Sequence, residues 1–242
     1  MGSSSNFVFE KGIPQGLIDS LEQRIEFTDH FITVNDEDWV ITADNTPVFQ
    51  SADMEGGWLQ MATDAGTDND EVYASSGESI KFNSGSGNYV GIFAKLKLTE
   101  ANTDDANIIF GLTDQGGANT LQDNGAGPPS SYSGAVLFKV DGDLHWYAEA
   151  SKTTSQSTSA ALVTDSAAGS PVVTYASGTE YILGIVWDGS ALRFYVNGSL
   201  QYTVTSSTYF STTEMTPTIG VKNGGSNVET LYADWLVLRA KR

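Results

Sequence analysis

Residues 181–205 read YILGIVW-DGSA-LRFYV-NGS-LQYTVT, and this stretch decides the fold class. Each apolar run has strand length and is rich in β-branched and aromatic residues. Asp188-Gly189 and Asn197-Gly198 separate the runs. Asn-Gly suits a type I′ turn, because both residues tolerate positive φ. Leu192, Phe194 and Val196 alternate with Arg193 and Tyr195, and Tyr202 and Val204 alternate with Gln201 and Thr203. That period of two gives one face to a core and the other to water. A three-stranded antiparallel meander with one apolar face needs a second layer to cover it.

Working outward, the flanking sequence offers more strands of the same kind. Upstream come Trp39–Thr42, Trp58–Thr63, Val72–Ala74, Ser79–Phe82, Tyr89–Leu98, Ile108–Thr113, Ala135–Val140, Leu144–Ala148 and Val172–Tyr175. Downstream come Thr216–Lys222 and Thr230–Leu238. About a dozen short strands at near-regular spacing, with one short helical segment, predict a two-sheet sandwich. Tyr89–Leu98 and Ile108–Thr113 are expected to pair across the turn 102–107. In the last strand, Leu231, Ala233, Trp235 and Val237 are expected on one face. Trp39, Trp187 and Trp235 read as core. Asp114–Ser133 has no periodicity and is dense in Gly, Pro, Asn and Ser, so it reads as a long functional or disordered loop. The polar run Ser151–Ser159 reads as a flexible turn.

The first 25 residues differ in character. Gly2-Ser3-Ser4-Ser5 is flexible, and Phe7-Val8-Phe9 is a short sticky patch. Pro14 suits a first helical turn, and Leu17, Leu21 and Ile25 recur at i, i+4, i+8, which predicts a short helix over 13–25. An arm with so few apolar residues has no core of its own. The reading is therefore an anchoring or assembly arm over 1–25, built on Phe7, Val8, Phe9, Leu17, Leu21 and Ile25, followed by a sandwich domain over 26–242.

Composition narrows the function. The 242 residues carry 30 acidic and 12 basic side chains, a net charge of −18. Binding to nucleic acid or an anionic membrane draws on Lys and Arg, so both partners are disfavoured. With no cysteine there is neither a disulfide nor a thiolate metal site. No apolar run reaches the roughly 20 residues of a membrane span. The N-terminus lacks the apolar centre of a signal peptide, so export by that route is not expected.

Three stretches carry a resemblance: FTDHF…DEDWVIT, YVGIFAKLKLTEANTDDANIIFGLTD, and DGSALRFYVNGSLQYTVT…MTPTIGVKN…LYADWLVLRA. Together, over residues 26–240, the chain resembles the concanavalin A-like (laminin-G-like) jelly-roll domains of tailed-bacteriophage structural proteins. Pro217 and Asp234-Trp235 stand where such domains place a Pro strand and a final Asp-aromatic strand. The resemblance implies an all-β, antiparallel two-sheet jelly roll. It implies a non-enzymatic virion protein made in the host cytoplasm, decorating or stabilising the capsid. Its partners would be the major capsid protein or other virion subunits, in a homo-oligomer such as a trimer. Relatives of this fold also include lectins and hydrolases. A lectin-like fibre module for host glycans and a polysaccharide-degrading enzyme therefore stand as alternatives.

The residues weigh those alternatives. The β-glucanases of this fold carry alternating carboxylates, E-x-D-x-E or E-x-D-x-x-E, on one strand, and no such run exists here. Glu229 and Asp234 are an odd number apart. There is no G-x-S-x-G, and the histidines His30 and His145 each sit beside an aromatic residue, where a structural role is expected. No cofactor is required on this reading. A Ca²⁺ ion would take carboxylate and carbonyl oxygens. Asp64, Asp68, Asp70 and Glu71 offer them in one acidic loop, with Asp104-Asp105 beyond, but EF-hand spacing is missing. A glycan would stack on an exposed aromatic residue, for which Tyr132, Trp146, Tyr147 and Trp58 are the candidates.

Overall fold

The computed structural model describes residues 24–34, 37–64, 67–77, 80–100, 105–162 and 178–241. Phe7, Val8, Phe9, Leu17, Leu21 and Val172–Tyr175 lie outside the described residues, as does most of the expected helix. What is described is an antiparallel two-sheet jelly roll.

The strands run in chain order: β1 Arg24–Asp29, β2 Trp39–Ala43, β3 Val48–Ala52, β4 Trp58–Ala62, β5 Glu71–Ser76, β6 Val90–Thr99, β7 Ala106–Thr113, β8 Tyr132–Lys139, β9 Tyr147–Thr153, β10 Ser155–Thr158, β11 Glu180–Trp187, β12 Leu192–Val196, β13 Ser199–Val204, β14 Thr216–Asn223 and β15 Thr230–Lys241. One sheet has eight strands in the order β13-β12-β11-β6-β15-β4-β3, with β1 also pairing β15. The other has seven, in the order β10-β9-β8-β7-β14-β5-β2. The meander β11–β12–β13 forms as its sequence predicts.

The core lies between the sheets. From the eight-stranded sheet come Leu59, Ile92, Leu183, Phe194 and Leu236. From the other come Val72, Phe110, Leu137, Ala148 and Ile219. Trp187 is buried against Phe82 and Phe210, with its indole N–H donated to the Asn83 carbonyl. Trp39 packs on Phe27 and Phe31, and its N–H reaches Asp29.

Four sequence expectations need correction. Ile25 does not end a helix. It stands in β1 opposite Ala240, its backbone paired with the last strand and its side chain packed against the core. β6 and β7 do not pair with each other. β6 lies between β11 and β15 in one sheet, whereas β7 lies between β8 and β14 in the other. Trp235 does not face the core. Ala233 pairs with Leu96 and the next paired residue is Trp235 with Lys95, so Asp234 is an extra residue. Such a bulge inverts the alternation beyond it. Leu231 and Ala233 point inward before it, and Leu236, Leu238 and Ala240 point inward after it. Finally, 151–159 is a hairpin, because β10 pairs with β9. Its polarity is that of an edge strand, where neighbouring chains must be kept off.

Candidate functional site

The outer face of the seven-stranded sheet is roofed by the chain itself. Residues 114–131 leave β7, run across β14 and β5, and return to β8. Their side chains and backbone are bound at each crossing. The Ser75 hydroxyl donates to the Gly116 carbonyl. The Asn119 N–H donates to Glu71, the Leu121 N–H donates to the Tyr73 hydroxyl, and the Asn124 N–H donates to Asn69. The Gln156 amide donates to the Pro129 carbonyl. Leu121 is wholly buried in a second apolar cluster with Tyr73, Ile109, Tyr132, Val136 and Phe138.

Lys222 anchors this roof. It is 1% exposed, and its ammonium lies 3.0 Å from Glu71, 3.2 Å from Asn119 Oδ1 and 3.1 Å from the Leu121 carbonyl, with Asp123 beside it. A buried ammonium is tolerable only when its donors are satisfied and its charge matched. Here the loop supplies most of the acceptors. Sequence reasoning missed this residue, since a lysine in an alternating strand reads as solvated.

Where that roof meets the β8–β9 turn, a cluster of polar groups reaches the surface. The turn contains Asp141, Gly142 and Asp143. Asp143 accepts from its own chain at the His145 N–H, from the His145 ring and from the Tyr147 hydroxyl. Burial opposes ionisation of Asp143, but these donors outweigh it and hold its pKa below the usual value. Burial and the Asp143 carboxylate push the Tyr147 phenol up to about 12. The Tyr147 ring is stacked on Phe138, with centroids 5.6 Å apart, and stays partly exposed. Burial, and next the charge of Asp105, raise the pKa of Asp141. Glycines let the backbone close around these carboxylates. A Cβ at Gly224 would lie 2.2 Å from the Asp141 carboxyl carbon, and one at Gly225 would lie 3.3 Å from Asp105 Oδ2. The signal for this cluster was present as D-G-D-x-H-x-Y, with acceptors and an aromatic residue on alternate positions.

Of the aromatic candidates, only Tyr147 sits here and is partly exposed. Trp146 is 1% exposed and packs edge-on against Tyr181 inside the sandwich, because its position on β9's approach faces inward. Tyr132 is buried under the 114–131 roof beside Glu149. Neither offers a stacking platform. Trp58 stands on the outer face of the eight-stranded sheet, under the ammonium groups of Lys95 and Lys97.

The acidic loop does not converge on an ion. Glu71 faces the roof and is paired with Lys222. Asp70 is buried and accepts from Asn45, while Asp64 accepts from Thr46. Asp68 is exposed. Each side chain follows its own backbone direction, and among the described residues no group of three or more His, Asp or Glu side chains could hold a metal. The alternating one-strand carboxylates of the glucanase kind are likewise not found among the described residues. Among the described strands none carries two carboxylates on one face: β5 shows Glu71, Tyr73 and Ser75 outward, and β9 shows Tyr147, Glu149 and Ser151.

Comparison with known proteins agrees with this architecture. No protein-family model matches the chain, and no curated protein does. Solved structures do. Peanut lectin with a nonamer peptide aligns with TM-score 0.62 at 10% identity, over 90% of this chain and 98% of that one. Lectin II from Ulex europaeus aligns at 0.63 and 11%, over 91% and 100%. The catalytic domain of an endo-1,3-β-glucanase (laminarinase) from Thermotoga petrophila aligns at 0.56 and 14%, over 89% and 97%. The chain thus has the concanavalin A-like jelly-roll sandwich, a fold shared by lectins and by glucanase catalytic domains. At such identities the likeness is one of fold, and fold does not carry function.

Proposed function

We propose that this chain is a non-catalytic carbohydrate-binding module, and that it takes its ligand at the β8–β9 turn. The observation that carries this reading is Tyr147, a partly exposed ring held flat by Phe138 and fixed through its hydroxyl to Asp143. A pyranose presents an apolar C–H face to such a ring and hydroxyl donors to neighbouring carboxylates. Asp141, Asp105 and Asp143 supply charged acceptors, whose hydrogen bonds are stronger than neutral ones. Binding is favoured over hydrolysis because the alternating one-strand carboxylates expected of the β-glucanases of this fold are found on none of the described strands.

The test is a glycan array followed by calorimetry on the best ligand. Tyr147→Ala should abolish binding, and Asp141→Asn should weaken it about tenfold, the loss of one charge-assisted hydrogen bond. Release of reducing sugar from that glycan by the wild-type chain would refute the non-catalytic part.

A second reading keeps the binding module but gives it a protein partner on a virion surface, with residues 1–25 as the tether. The apolar content of Phe7-Val8-Phe9 and the sequence resemblance support it. Co-sedimentation with capsids, lost on replacing Phe7 and Phe9 by Ser, would favour this reading over the first.

A further inference from the structure

Lys222 meets more than an ion pair. An ammonium has three protons to donate, and four acceptors crowd this one. Glu71 Oε2 lies at 3.0 Å, the Leu121 carbonyl at 3.1 Å, Asn119 Oδ1 at 3.2 Å and Asp123 Oδ1 at 2.5 Å. They differ in what an amine can do to them. The two carboxylates resist attack by their charge, and acylation at Leu121 would cut the chain. The side-chain amide of Asn119 is uncharged and carries its own leaving group.

Glu71 joins these two partners. Its Oε2 accepts from the Lys222 ammonium, and its Oε1 accepts from the Asn119 backbone N–H at 2.8 Å. One carboxylate thus holds the nucleophile and the residue that bears the electrophile, which is the arrangement of a base with the group it activates. Asn119 is set in a left-handed turn with φ 58°. Its Cγ is bonded to the oxygen that Nζ already touches, and rotation about Cβ–Cγ, a broad torsion in Asn, turns that carbon toward the nitrogen. Lys222, Glu71, Tyr73 and Leu121 are all buried around the contact, while Asn119 reaches the surface and gives a leaving group its exit.

We propose that Lys222 and Asn119 join in an intramolecular amide cross-link, with Glu71 as the proton carrier. Glu71 takes one proton from the ammonium, and the freed lone pair adds to Asn119 Cγ. The Nζ–Cγ bond forms and the Cγ–Nδ2 bond breaks. A second proton passes from Nζ to the departing nitrogen, which leaves as ammonia, and Glu71 keeps the first. Nothing is oxidised or reduced. A buried ion pair is costly to hold out of water, and the products, an amide and a carboxylic acid, carry no charge. The ion pair and the amide are successive states of one contact. The bond spans 103 positions and fastens the roof to β14, which removes loop entropy from the unfolded chain. It does not rest on the glycan reading, since neither Tyr147 nor Asp141 takes part.

The experiment is denaturing intact-mass spectrometry on the full chain, fresh and after days of incubation, followed by peptide mapping. The expected mass is below that of the sequence by one molecule of ammonia, with a branched peptide joining residue 119 to residue 222. Lys222→Arg keeps the cation but offers no neutral amine, and Asn119→Ala removes the acceptor from an exposed position. Both should run at their full sequence masses and melt at a lower temperature than the cross-linked chain. Glu71→Gln should also stay uncross-linked. Asp123→Asn should cross-link at least as fast as the wild type, because it removes a charge that holds the lysine protonated. A wild-type chain that stays at full mass would overturn the proposal. So would loss of one water with a link to Asp123, or ammonia loss traced to a succinimide at Asn124-Gly125 or Asn197-Gly198 with no branched peptide.

Discussion

The two sheets treat their outer faces in opposite ways. The seven-stranded sheet covers its own. Loop 114–131 lies over it, Leu121 is buried in it, and β5, β7 and β8 are buried along their entire length. The eight-stranded sheet leaves side chains in reach of solvent, and β12 keeps a strict alternation of buried and half-buried positions. The difference teaches where stability is concentrated. On the roofed sheet, apolar and charged groups alike are sealed in, so each depends on its partners. On the other, a side chain can be changed at little cost to the fold.

The contrast can be broken most severely at Lys222. Lys222→Met should cost about 3–5 kcal/mol, because Glu71 would be left buried without its cation, and amide exchange of residues 114–131 should accelerate more than the global loss predicts. A double change, Lys222→Met with Glu71→Leu, should recover much of that loss, which urea melts would measure. Next, Leu121→Ala should cost roughly 2–4 kcal/mol as a buried cavity, whereas Ile182→Ala on the open face should cost under about 0.5 kcal/mol. Equal losses at the two positions would mean that the loop does not seal the face.

A smaller effect sharpens the picture. Burial raises the pKa of Glu149, although donors from Thr158 and Tyr132's side oppose the rise. A carboxyl whose folded pKa exceeds its unfolded value costs stability at neutral pH, and the cost is relieved as pH falls through the folded pKa. Glu149→Gln should therefore stabilise the fold at pH 7, with the gain vanishing below pH ~4, the ordinary range of an unfolded Glu. A wild-type melt that falls steadily from neutral pH down to pH ~5, unchanged by the substitution, would contradict this.

The sandwich was legible because the meander β11–β12–β13 has one dry face and one wet one, and period two with Asp-Gly and Asn-Gly turns states that directly. β7 and β8 were legible as strands but not as neighbours. Buried on both faces, IIFGL and AVLF carry no alternation from which a partner or a side can be read. The Asp234 bulge was invisible for a related reason: one extra residue looks like ordinary sequence, yet it turned Trp235 outward. The candidate site was less legible still. Tyr147 was among the aromatic residues singled out, while Asp141 and Asp143, between two expected strands, were not. Trp146 and Tyr132 looked equally suitable, because exposure is decided by the roof and by β9's facing, neither of which is local. Glu71 was grouped with its acidic neighbours, and only the folded register shows that it answers Lys222, 151 positions away.

The pairing of β1 with β15 has a consequence in time. Arg24 stands opposite Lys241, so β1 waits for a partner 217 residues further along (241 − 24). At about 5–20 residues per second, the ribosome takes roughly 11–43 s to deliver that partner. Until then β6 and β4 also lack one of their two neighbours, because both flank β15. Such long-range closure is slow by its topology. The nascent chain must therefore keep aromatic strand edges in solution until β15 emerges, and the net charge of −18 opposes association between such chains.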